Sequence, residues 1–130
     1  MERERLEPGP HHPITIQPTE HRVVVWVGEQ QVAASTRALT LREASYPSVQ
    51  YVPLEDVDTA LLRPTETTTW CPFKGDASYW TIAPGAGGEE LVDAVWGYAE
   101  PFPAVAGIAG HVAFYPDRVD VQLQVVDPLR

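Results

Sequence analysis

The fold is decided by residues 65–82, which read TETTTWCPFKGDASYWTI. The threonine-rich half up to Trp70 favours a strand, because β-branched and aromatic residues fit a pleated sheet. The half from Ala77 to Ile82 favours a second strand, on which Ser78 and Trp80 would share one face. The intervening CPFKG contains a proline and a glycine, which are typical of turns. The stretch therefore predicts two β-strands connected by a turn.

The rest of the chain repeats this alternation of short strands and turns. Further strands are predicted at Arg22–Val27, Gln31–Thr36, Leu39–Glu43, Val49–Val52, Glu90–Trp96, His111–Tyr115 and Arg118–Val125. The first two of these are predicted to form one hairpin and the last two another, while Glu90–Trp96 leaves a short helix open as an alternative. Short helices are predicted at Leu54–Leu62 and at Ala104–Ile108. Together with 13 prolines and 9 glycines, this pattern predicts a mainly β fold of two antiparallel sheets with one or two short helices.

The 130 residues fit one domain preceded by an arm. Residues 1–20 are predicted to be a flexible N-terminal arm, since charged residues and a Pro-Gly-Pro-His-His-Pro run dominate its first part. Within the arm, His11 and His12 are expected to be exposed to solvent. Residues 21–127 are predicted to form the single domain.

Charge and cysteine content limit the classes of partner. The chain has 9 basic and 18 acidic residues, a net charge of −9, which argues against binding to nucleic acids or to anionic membranes. No apolar run of about 18 residues could span a bilayer. One cysteine, Cys71, allows neither an intrachain disulfide nor a cysteine zinc cluster, and it suits a reducing compartment. We therefore expect a cytoplasmic protein without a nucleic-acid or membrane partner, metal or cofactor; a homodimer stays possible.

Four residues are candidates for catalysis. Cys71 would act as a nucleophile or redox thiol if Lys74 or His111 activated it. Glu43 follows two leucines at strand spacing and is predicted to share their apolar face, where a carboxylate must be paired, hydrogen-bonded or functional. A structural role explains each of the four residues as well as a catalytic one. The sequence therefore leaves open whether the chain is an enzyme.

The sequence resembles the domain-of-unknown-function 427 family from about Val23 to Asp120. The most specific part is Cys71–Gly75 followed by Ser78-Tyr79-Trp80. Other matching segments, in the same order, are Val32–Ser35, Glu43 with Tyr46-Pro47, Tyr51–Val57, Trp96–Tyr98 with Pro101, Ile108–Gly110 and Ala113–Tyr115. The chain departs from the family pattern at Gln50, where an aromatic residue is frequent, and at Phe73, where tyrosine is usual. Both departures would alter the polarity of a pocket.

The resemblance implies a β-tent-like architecture, in which two antiparallel sheets meet at an angle, more than it implies an activity. The cysteine-bound zinc of several β-tent relatives cannot be carried over to a chain with one cysteine. A nucleotidyltransferase label also attaches to some family members. The sequence lacks the closely spaced aspartate pair after a Gly-Ser turn that two-metal nucleotidyl transfer would require.

These observations lead to three functional hypotheses. The first is a small-molecule-binding domain with a pocket between the sheets, and the fold analogy suggests its ligand-binding residues: Glu43, Tyr51, Lys74, Ser78, Trp80, Trp96 and Tyr98. The second is an enzyme that uses Cys71 or Lys74 in thiol chemistry or nucleotidyl transfer. The third is a structural or partner-binding β module with an exposed sheet edge.

Overall fold

The computed structural model describes residues 4–85 and 88–125. Within these ranges the strands are β1 (Ile14–Pro18), β2 (Arg22–Val27), β3 (Gln30–Ser35), β4 (Leu39–Glu43), β5 (Val49–Pro53), β6 (Leu62–Cys71), β7 (Gly75–Ile82), β8 (Leu91–Gly97), β9 (His111–Phe114) and β10 (Asp120–Gln124). Three short 3-10 helices span Leu54–Asp56, Thr59–Leu61 and Pro103–Ile108. The strands form a large sheet in the order β1-β4-β5-β9-β8-β7-β6 and a small sheet in the order β10-β2-β3. Every pairing is antiparallel, so the predicted mainly β fold of two antiparallel sheets is confirmed.

The large sheet buries apolar side chains on both faces. The face towards the small sheet forms the inter-sheet core, which includes Val52 and Val112 packed against Val23 and Val25. Strand alternation sends the neighbouring side chains to the opposite face. There they form the outer cluster, whose buried members are Leu41, Tyr51, Ala77, Tyr98, Val105, Ile108 and Ala113. The short helix Pro103–Ile108 contributes two of these residues and thereby covers part of the outer face.

The predicted helix over Leu54–Leu62 is wrong. Two separate 3-10 helices occupy the segment, and Val57 between them is extended at φ −107° and ψ 140°. Val57 forms a β-bridge with Ala33 of β3, and the Asp58 N–H donates to the Val32 carbonyl over 2.8 Å. Pairing with a strand of the small sheet therefore replaces helical hydrogen bonding, although the apolar side chains still face the core.

The predicted hairpin of His111–Tyr115 with Arg118–Val125 is also wrong. Strand β9 already has partners on both edges, β5 on one side and β8 on the other. Because both edges are taken, the chain leaves the large sheet after Tyr115 and β10 pairs with β2 in the small sheet. Val121 of β10 and Val119, which precedes the strand, pack against the inter-sheet core.

The predicted N-terminal arm of residues 1–20 contains a strand. β1 pairs with β4 along its whole length, from Ile14 opposite Glu43 to Pro18 opposite Leu39. Residues 1–3 of that arm, and residues 126 and 127 at the end of the predicted domain, lie outside the described residues. None of the helices in the described ranges combines the length and the apolar character that crossing a bilayer requires.

Candidate functional site

Three residues form a polar cluster at one end of the outer face: His12, Glu43 and Lys74. Strand β4 orients Glu43 to the side of Leu39 and Leu41, as its spacing predicts. The Lys74 ammonium donates to Glu43 Oε1, and His12 Nε2 donates to Glu43 Oε2 over 2.7 Å. Both carboxylate oxygens therefore have a partner from a distant part of the chain.

The polar cluster keeps Glu43 ionised. Burial opposes ionisation, but the hydrogen bonds from Lys74 and His12 and their charges outweigh it, so the pKa of Glu43 lies below its ordinary value of 4.5. A carboxylate with a low pKa is a weak base. Lys74 itself is buried, with 8% of the residue exposed. The arrangement therefore favours an anchoring role for both residues.

His12 was not anticipated as part of any site, and it is half-buried rather than exposed. Its ring stacks on Phe73 with centroids 4.0 Å apart and planes at 4°. Nearby, the Leu6 N–H donates to the Pro72 carbonyl over 2.8 Å, and the Arg5 guanidinium lies 5.1 Å from the centre of the Phe102 ring. Residues 5–12 thus run along the turn between β6 and β7. Local sequence patterns do not indicate these contacts.

Aromatic residues fill the space beside the polar cluster. The Trp96 indole N–H donates to the Tyr51 hydroxyl, and burial raises the pKa of Tyr51 well above its ordinary value. Burial likewise raises the pKa of Tyr98, and the charges of Tyr51 and Cys71 act in the same direction. Cys71 is half-buried and packs against the outer cluster. Packed side chains, rather than open space, therefore surround the thiol on this side.

The structure separates the predicted ligand-binding residues into two groups. Glu43, Tyr51, Lys74, Trp96 and Tyr98 belong to the outer face, as does the candidate nucleophile Cys71. Trp80 lies on the opposite face of β7 and packs against the inter-sheet core, while Ser78 is exposed. The His111 ring contacts the Ala109 carbonyl at 2.9 Å. Among the described residues, no contact joins His111 to Cys71.

A cavity opens between the two sheets where β5 and β9 separate. Among the described residues these strands are paired at Val52 with Val112 and at Pro53 with His111, and no described strand pairs with the first part of β5 on that edge. The cavity has a volume of about 300 Å³. Its lining residues come from both sheets and from two loops: Val23, Val25, Pro47, Ser48, Val49, Gln50, Val52, Trp96, Phe114, Pro116 and Val121. Of the predicted ligand-binding residues, Trp96 alone lines it.

Trp96 connects the cavity to the outer cluster. Its indole contacts Tyr51 edge-on, with ring centroids 6.5 Å apart, and lies 4.4 Å from the ring of Tyr115. Strand β9 lies between the strands of Trp96 and Tyr51, and Ala113 is the residue paired with Trp96. The small alanine leaves room for the indole to cross β9 and reach the gap next to β5.

Sequence comparison assigns the family. The family model described as Domain of unknown function (DUF427) matches residues 15–125. The chain belongs to this family. Among curated proteins, no match reaches significance. The matched range begins at Thr15, the second residue of β1, and therefore within the predicted arm.

The two departures of this DUF427 chain from the family pattern lie at different places. Gln50 lines the cavity, and its side-chain oxygen accepts from Thr19 Oγ1 over 2.6 Å and from Thr40 Oγ1 over 3.1 Å. Phe73 supplies the ring on which His12 stacks.

The described residues of this DUF427 domain contain no group of three or more His, Cys, Asp and Glu side chains arranged to hold a metal ion.

Proposed function

We propose that this DUF427 domain binds a small molecule in the cavity between its two sheets. The cavity of about 300 Å³ carries the proposal. Ligand pockets are mostly apolar with a few placed polar groups, and this lining consists mainly of valine, proline and aromatic side chains. An apolar cavity of about 150 Å³ admits benzene, so a cavity of this size has room for a molecule with one or two rings.

The polar cluster is a weaker candidate for the ligand site. Lys74 and His12 already occupy both oxygens of Glu43, and the buried rings of Tyr51 and Tyr98 fill the adjacent space. A ligand would have to displace these contacts. For the same reason an enzyme that uses Lys74 or Cys71 has less support, since Lys74 is buried against a carboxylate and the thiol is half-buried. A half-buried free thiol is compatible with the cytoplasmic location that we propose.

Binding is tested by filling the cavity. Val121 of β10 lines the cavity and is half-buried, so Val121→Phe would occupy part of the space without replacing a fully buried residue. We expect a library of small metabolites to contain at least one compound that raises the Tm of the wild type. At 100 times its Kd such a compound stabilises by about 2.7 kcal/mol, which is roughly 10 °C for a domain of this size. Val121→Phe should weaken the affinity for that compound at least tenfold and should therefore make the rise in Tm smaller.

The matched control is Leu123→Phe, two residues further along β10. Leu123 is 50% exposed and does not line the cavity, so the same added ring should leave ligand binding unchanged. If no compound stabilises the wild type, or if Val121→Phe and Leu123→Phe bind the compound equally well, the cavity is not the ligand site.

A further inference from the structure

We propose that the ligand of this cavity is uncharged and carries a carbonyl-type oxygen that accepts a hydrogen bond from the Gln50 side-chain amide. The inference rests on the proposed function and names the class of ligand. It derives from two features of the lining, the orientation of Gln50 and the absence of charge among the described lining residues.

The orientation of Gln50 is set by two threonine hydroxyls. Thr19 and Thr40 hydroxyl oxygens lie 2.8 Å apart, and both contact the Gln50 oxygen, at 2.6 and 3.1 Å. Thr40 is buried, with 7% of the residue exposed, and it lies directly opposite Gln50 in the pairing of β4 with β5. The acceptor end of the amide is therefore held against the sheet.

Holding the oxygen leaves the nitrogen end of Gln50 available. A glutamine amide carries two N–H donors, and none of the hydrogen bonds formed by the described residues uses them. Gln50 and Val52 share a face of β5, and both line the cavity. A ligand group beside this amide would be a hydrogen-bond acceptor. A donor on the ligand would face the N–H donors of Gln50, and neither group would then have a hydrogen-bond partner.

The charge of the ligand follows from the rest of the lining. Apart from Ser48, Gln50 and the Trp96 indole, all described lining side chains are apolar, and none is ionisable. The Trp96 N–H is engaged by Tyr51. Placing an ionised group in such a space removes its hydration without supplying a counter-charge, which is costly. A neutral ketone, ester or amide fits this lining better than a carboxylate or an amine.

Three matched probes test the inference: indane, 1-indanone and indane-1-carboxylate. The three share one ring system. Indane has no hydrogen-bond acceptor, 1-indanone has a neutral carbonyl and indane-1-carboxylate carries a charge. Their affinities would be measured from saturable amide chemical-shift changes in ¹H–¹⁵N spectra of the full chain. We expect 1-indanone to bind about three- to tenfold more tightly than indane, the effect of one net hydrogen bond, and the carboxylate to bind more weakly than both.

The Gln50→Leu variant should remove the preference for 1-indanone over indane. Gln122→Leu is the matched control, because Gln122 is exposed on β10 and contacts Asp120 and Gln124 instead; it should retain the preference. If Gln50→Leu fails to fold, Thr19→Val provides the second test. Removing one of the two hydroxyls that orient the amide should lower the affinity for 1-indanone by about twofold to threefold without lowering the affinity for indane.

The outcomes separate this inference from the proposed function. Equal binding of indane and 1-indanone, with no effect of Gln50→Leu, overturns the assignment of Gln50 and leaves the cavity as a binding site. Tightest binding of the carboxylate overturns the neutral ligand class. Binding of none of the three probes, together with the absence of any stabilising metabolite, overturns both proposals.

Discussion

Among single residues, Glu43 and Lys74 depend most on each other. Each is largely buried, with side-chain exposures of 14% and 10%, and each neutralises the other. Removing one partner of a buried ion pair is strongly destabilising, because the remaining charge loses its compensation, whereas replacing both by apolar residues can be nearly neutral. Arg37 and Glu55 provide a contrast, since their side chains are 56% and 74% exposed.

The first prediction concerns the Glu43→Gln variant. We expect it to lower the free energy of unfolding by about 3 kcal/mol, because Lys74 stays buried without a counter-charge. The double variant Glu43→Leu/Lys74→Met should recover most of this loss. Urea denaturation measures both, with Glu55→Gln as the exposed control expected to cost less than about 0.5 kcal/mol. A Glu43→Gln variant as stable as the control would show that the pair contributes nothing.

The second prediction is the pH dependence of this difference. The pKa of Glu43 is lower in the folded chain than its ordinary value of 4.5, so the folded state favours the ionised form. The contribution of Glu43 to stability is then complete above pH 4.5 and is lost as the pH falls through the folded pKa. The gap in unfolding free energy between wild type and Glu43→Gln should shrink as the pH falls from 6 towards 3. A gap that widens on acidification would contradict the low pKa.

The sequence predicts some of these residues and not others, for a physical reason. Alternation along β4 places Glu43 with two leucines, and the structure agrees because strand alternation is a local property. His12 and Lys74 each lie 31 positions from Glu43 in the sequence. No local pattern encodes a contact of that separation, so strand alternation alone does not bring His12 and Lys74 to Glu43.

At the scale of elements, the turn between β6 and β7 positions Lys74. The Lys74 N–H donates to the Cys71 carbonyl over 3.2 Å, and the next residue, Gly75, has φ +109°. Residues with a side chain rarely adopt this backbone conformation, whereas glycine adopts it without strain. The proline and the glycine in this segment predicted the turn, and the structure supplies the reason for the glycine.

The third prediction follows from that backbone conformation. Gly75→Ala should lower the unfolding free energy by about 1–2 kcal/mol through strain, since the nearest atoms to an added Cβ lie 3.6 Å away and cause no clash. Gly107→Ala is the control, because an added Cβ there meets no atom within 4 Å and its φ is not positive. Equal thermal stability of the two variants would argue against strain at Gly75.

The wrong predictions of elements share one cause. Val57 and β10 both pair with strands of the small sheet, although their own sequences favour a helix and a hairpin with β9, respectively. Which strands are adjacent depends on the edges that earlier pairings leave open. Local propensity predicts that a strand exists, but it does not choose the partner.

For the whole molecule, the arrangement of the sheets creates the candidate site. The cavity exists because β5 and β9 share only two residue pairs while β10 crosses to the small sheet. Both features are long-range, which explains why the sequence predicted a pocket between the sheets although six of its seven predicted ligand-binding residues lie outside the lining of this cavity. The mainly β fold and the family followed from local pattern and resemblance, whereas the cavity required the topology.

Xenon binding reports on the cavity between the sheets, because xenon enters dry apolar cavities without needing hydrogen bonds. Crystals of the wild-type chain under xenon pressure should show one well-occupied xenon atom in contact with Val25, Val52 and Phe114, and crystals of Val121→Phe should show much lower occupancy there. A xenon atom bound only elsewhere, or no xenon between the sheets of the wild type, would show that this space is not a binding cavity.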